Sequence, residues 1–98
     1  MSVTLTRNLK GIGVPSNVTV GTSAIMLVQP NINRNSLTIQ NQGAGTVFLG
    51  IDNTVTDSGA TRGYALFTGQ TFTDDATRGS WWAISTSGTN IVNLMEVS

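Results

Sequence analysis

The chain contains no cysteine and no histidine. Without cysteine there is no disulfide, no zinc–thiolate site and no thiol nucleophile. Without histidine the commonest general base and the commonest transition-metal ligand are both missing. Charge is nearly as scarce. Five Lys and Arg balance five Asp and Glu, together 10% of the 98 residues, where about 25% is usual. So few charges do little to hold copies of the chain apart, and a net charge of zero favours association. Arg7, Lys10, Arg34, Arg62 and Arg78 are scattered. A phosphate-binding surface needs clustered cations to release counterions, so nucleic acid is not an expected partner. Long apolar runs are absent too. The longest, Ala24 to Val28, is far short of the ~20 residues that cross a bilayer, and no membrane partner is expected. Met1 to Arg7 lacks the basic and then apolar pattern of a secretory signal, which makes cytosolic synthesis the default expectation. Asn17-Val18-Thr19 matches a glycosylation sequon without that secretory context.

What is present favours strands. Fifteen Thr, with Val, Ile and aromatics, suit a pleated, half-buried surface. Eleven Gly, with Asn, Asp and Ser, punctuate the chain at short intervals. No stretch of a dozen residues sustains apolar positions at i, i+3, i+4 and i+7. Period-2 alternation recurs instead, at Val3/Leu5, Val18/Val20, Leu37/Ile39 and Val47/Leu49/Ile51. Ala24 to Val28, apolar at every position, reads as a central strand covered on both faces. Further strands are expected at Tyr64 to Thr68, Gln70 to Thr73, Ser80 to Thr86 and Asn90 to Val97, with a short one at Thr54 to Thr56. Seven to nine short strands at this spacing predict an all-β, single-domain antiparallel β-sandwich, with a jelly roll among the connectivities it allows. Residues 7 to 16 carry two Gly and a Pro and no clear period. They set an expected boundary: an extended N-terminal arm over residues 1–16 and the β-sandwich domain over 17–98. Met1 to Leu9 is in addition a candidate for pairing with a neighbouring subunit.

The residues that carry chemistry do not converge. Asp74 and Asp75 are the one adjacent acidic pair, but neighbours on a strand point to opposite faces, so they read as a turn and not as an acid/base dyad or a metal site. Asp52, Asn53 and Asp57 read as turn capping. The many Ser and Thr have no His to take a proton, and Lys10, the one Lys, sits among glycines. No catalytic residue, metal or cofactor is expected, and the chain reads as a non-enzyme. Trp81-Trp82 stands out. Strand alternation sends one indole to the core and leaves the other for a partner, as aromatics at interface hot spots do, for a sugar, or for cover by loops of the same chain. Phe48, Tyr64 and Phe67 are further interface candidates.

From Arg34 to Glu96 the order and spacing of landmarks resembles small virion proteins of tailed bacteriophages. The landmarks are Arg34-Asn-Ser-Leu-Thr-Ile-Gln-Asn41, Gly45-Thr-Val-Phe-Leu-Gly50, Val55-Thr56, Gly63-Tyr-Ala-Leu66, Gly69, Trp82-Ala-Ile-Ser85 and Val92 to Glu96. The resemblance implies a structural component of the virion, a capsid decoration (cement) protein located on the capsid surface. As such it oligomerises, a trimer being favoured, and binds the major capsid protein or another virion protein. The alternative is a tail- or fibre-associated module that binds host-surface carbohydrate or another virion protein. The resemblance brings no catalytic residues.

Overall fold

The computed structural model describes residues 13–98. Where the sequence alternates, strands form, and eight are present among the described residues. They are β1 (Gly13–Val20), β2 (Ile25–Val28), β3 (Ser36–Asn41), β4 (Val47–Gly50), β5 (Tyr64–Leu66), β6 (Thr71–Asp74), β7 (Trp81–Ser85) and β8 (Asn90–Val97). Two antiparallel sheets result, ordered β1-β8-β3-β6 and β2-β7-β4-β5. Four of the pairings, β1 with β8, β2 with β7, β3 with β6 and β4 with β5, join strands equally far from the chain's middle. The chain is thus one long hairpin, bent at β4–β5 and rolled into a sandwich, which is the jelly roll.

β3 shows how alternation builds the core. Leu37, Ile39 and Asn41 are buried while Ser36, Thr38 and Gln40 are half-buried on the other face. Val20, Val92 and Leu94 join them from the same sheet, and Leu27, Val47, Leu49, Leu66 and Ala83 from the facing one. Val18, Val28, Phe72 and Trp81 pack around this cluster. Burying side chains of this size is worth about 1.5–3 kcal/mol each, which makes the cluster the main source of stability.

Three expectations are corrected. β2 is an edge strand, not a central one, and Ile25 and Met26 are exposed. An apolar run does not tell a face covered by the same chain from one left open. Ile51 lies beyond the end of β4 and is exposed, so it does not continue the row of Val47 and Leu49. Thr54 to Thr56 is no strand. Thr56 makes a single bridge to Arg62, next to a 3-10 turn at Gly59–Thr61. The boundary expected after residue 16 falls inside β1, where Gly13 to Ser16 pair in register with Val97 to Leu94. Pro15 is tolerated there because β1 is an edge strand, half of whose N–H groups face away from the sheet. The expected subunit-pairing segment, Met1 to Leu9, lies outside the described residues.

Polar plugs close both ends of the sandwich. At one end the Arg34 guanidinium donates to the Glu96 carboxylate and to the carbonyls of Gly79 and Gln29, each at 2.8 Å. At the other, Asn41 donates to the carbonyls of Gly45 and Leu66 at 2.7 and 2.9 Å. Asn90 accepts from the Gly45 N–H at 2.8 Å and donates to Ser85 Oγ at 2.6 Å. Gly43 lies so close to Asn90 that a Cβ there would stand 2.1 Å from its Oδ1.

Candidate functional site: an apolar sheet face and a loop-walled cleft

The outward positions of the second sheet form an apolar surface that this chain covers only in part. Across the strands, Met26 pairs with Trp82 and Trp82 with Gly50, while Phe48 pairs with both Ile84 and Ala65. These residues share the outer face, since Leu49 and Ala83, one position along, are in the core. Met26 is exposed, and Trp82, Ile84 and Ala65 are half-buried. Phe48 is buried, with the Arg62 guanidinium 5.1 Å above its ring centre, so it supports this face more than it presents to a partner. The Trp82 indole donates to Ser80 Oγ at 3.2 Å, and Ser80 Oγ donates to the Ile51 carbonyl at 3.1 Å. These bonds tether the indole to the turn before β7 and to the end of β4.

Trp81 faces the other way. It packs on the core, edge-on to Phe72 with ring centres 5.3 Å apart. Its indole donates to Asp74 Oδ2 at 3.0 Å. Tyr64 continues this pile, 5.4 Å from Phe72, and is exposed at the sandwich edge. Phe67 is exposed in the turn after β5, away from both groups. The five candidates therefore divide: Trp82 and Phe48 on one face, Trp81 and Tyr64 joined through Phe72, and Phe67 alone. Met26 and Ile84 were missed. Their signal was present in the Ala24–Val28 run and in the Trp-Trp-Ala-Ile alternation, but only the register shows that they meet.

Asp74 organises the turn that leads into Trp81. It is buried and accepts from the N–H groups of Ala76 and Thr77 at 3.0 and 3.2 Å, from the Thr77 hydroxyl and from the Trp81 indole. Burial pushes its carboxyl up. The opposing bonds from the Thr77 hydroxyl, Ala76, Trp81 and the Thr77 N–H together outweigh it, leaving the group below its ordinary 3.8. A carboxyl whose folded pKa is depressed stabilises the fold above the unfolded pKa. That contribution is lost as pH falls through 3.8 toward the folded value. The parent is therefore expected to lose unfolding free energy between about pH 5 and pH 3 more steeply than Asp74→Asn. Urea titrations at several pH values check this, and parallel profiles would remove Asp74 as the cause. Asp75 is exposed, so the two acids do not share a site. Asp52 accepts from the Thr54 hydroxyl and N–H at 2.5 and 2.9 Å, which makes it a turn cap.

The outer face of the first sheet is of another kind. Asn17 and Asn93, Thr38 and Thr73, and Gln40 and Thr71 are cross-strand partners on it, uncharged and polar. Asn17, Asn93, Thr38 and Gln40 border a shallow groove of about 460 Å³ together with Pro15 and Met95. Among the described residues no group of three acidic side chains converges on a metal position, and no helix is long and apolar enough to cross a membrane.

No protein-family model and no curated protein matches the chain. Among solved structures it is similar to a chain from Bacillus endospore appendages, described as a novel family of disulfide-linked pili. The two are 14% identical, the match covers 99% of this chain and 96% of the other, and the TM-score is 0.50. They share a fold. A disulfide link between copies is impossible here, because this chain has no cysteine.

Proposed function

We propose that the chain is a non-enzymatic structural protein of a bacteriophage virion, a decoration (cement) protein. It associates with copies of itself, a trimer being favoured, and binds the outer capsid surface to stabilise the head. The observation that carries this reading is the apolar Met26–Trp82–Ile84 face, which its own chain covers only in part and whose indole is held by Ser80. Aromatic anchors in such a setting supply most of the energy of an interface. The uncharged first-sheet face adds hydrogen-bonding groups that meet a neighbour with little desolvation of charge. The order of landmarks from Arg34 to Glu96 supports placement in a virion. A second reading, a module of a tail or fibre, is favoured by the shared fold with a protein of pili.

Trp82→Ala is the test. The variant is expected to fold and to lose about 2 kcal/mol of capsid occupancy or subunit association, roughly 30-fold in affinity. Sedimentation of the protein alone and with capsids reads both quantities. A variant that assembles and coats capsids like the parent would sink the anchor. Cryo-electron microscopy of purified virions separates head from tail or fibre.

A further inference from the structure

The 51–63 loop walls a cleft of about 490 Å³ at the Arg34 end of the sandwich, within the range of small-ligand sites. The loop is held by its own bonds. Thr56 N–H donates to the Thr61 carbonyl and Gly63 N–H to the Thr56 carbonyl, at 3.0 and 2.9 Å. The Thr56 hydroxyl donates to the Ser58 carbonyl at 2.8 Å, and Val55 is buried beneath the loop. A Cβ on Gly63 would stand 2.4 Å from the Leu49 carbonyl oxygen, so loop and strand are in closest contact there. The wall is therefore preformed, which lowers the ordering cost of binding.

Groups suited to a polyhydroxylated ring line this cleft. Tyr64 is 61% exposed, its ring steadied on one side by Phe72. Asp52 uses Oδ1 for Thr54, and among the described residues Oδ2 has no donor. The Thr54 bonds keep the carboxyl below 3.8, so it is an ionised acceptor at neutral pH. Arg62 has no carboxylate partner among the described residues, and its guanidinium rests over Phe48. An ionised acid beside one cation disfavours a polyanion. A single acid does not make a cage for a hard cation. An aromatic face with an acceptor, a donor and hydroxyls is the set that recognises a neutral sugar, by stacking on its C–H face and exchanging hydrogen bonds with its hydroxyls.

We propose that this cleft is a saccharide site, taking one pyranose-sized ring on Tyr64 with its hydroxyls bonded to Asp52, Thr61 and Arg62. The site adjoins the Trp82 face, since Arg62 rests over Phe48, but it does not depend on the virion reading. Its failure leaves that reading untouched.

Glucose, galactose, mannose and N-acetylglucosamine, each raised to about 50 mM to cover millimolar affinities, are titrated into the isotopically labelled full chain. Saturable amide shifts at residues 52–54 and 61–64 are expected with at least one sugar. Tyr64→Ala is expected to weaken that binding at least about tenfold, while Tyr64→Phe, which keeps the ring, binds like the parent. Asp52→Asn, at an exposed loop position, gives the same loss and serves should Tyr64→Ala misfold. The proposal is overturned if none of the four sugars shifts these amides, or if both loss variants bind as the parent does.

Discussion

Replacing Arg34 with alanine is expected to cost about 3–5 kcal/mol, the usual result of removing one member of a buried ion pair. The side chain is 1% exposed, and its three acceptors come from the end of β2, the turn before β7, and β8. Truncation strands the Glu96 carboxylate and two carbonyls at once. A domain of this size holds about 5–15 kcal/mol in total, so the loss is a large fraction of its stability. Arg34→Lys keeps the charge but offers one nitrogen to acceptors that a planar fork reaches in three directions, and most of the loss persists. Urea unfolding measures both. An Arg34→Ala midpoint equal to the parent's would mean that the clamp contributes nothing.

Trp81→Ala is expected to cost about 3–5 kcal/mol, as large-to-small changes of core aromatics do. It removes the ring on which Phe72 packs and one of the donors that hold the Asp74 carboxylate. Trp81→Phe restores the ring but not the donor, and about 1–2 kcal/mol of the loss remains. The contrast with Trp82→Ala is the point of the experiment. Of two adjacent indoles, one is expected to govern unfolding and, if the proposed function holds, the other association. Equal unfolding midpoints for the two alanine variants would refute the division between an inward and an outward ring.

The strands were legible wherever burial follows a strict period of two, as at Leu37/Ile39 and Val47/Leu49, because the pleat and the sequence then share one repeat. The same rule split Trp81 from Trp82. β1 was not fully legible. Gly13 and Pro15 are loop residues by local preference, and only the partner Val97-to-Leu94 segment makes an edge strand of them. The apolar run in β2 hid its edge position for a related reason: hydrophobicity alone does not tell a covered face from an open one. Arg34 was counted as one of several scattered charges. Nothing local to it shows that Glu96, Gly79 and Gln29 converge on it, because that convergence is a product of the roll. The cleft was illegible for the same reason, with Asp52, Arg62 and Tyr64 brought together only by the 51–63 loop folding back.

The position of β8 has a consequence for how the chain reaches this state. β8 follows all other described strands in sequence, yet it lies between β1 and β3. During synthesis β1 and β3 therefore have no shared neighbour until the final strand has left the ribosome. The β4–β5 turn can close early, since its partners are near in sequence. The β1–β8 ladder must wait, and its closure from Gly13 to Val97 is the kind of distant pairing that slows folding of all-β domains. Until then the nascent chain carries open strand edges, the surfaces through which unfinished β proteins aggregate. The sandwich is complete only when β8 has taken its place between β1 and β3, long after the β4–β5 pair can close.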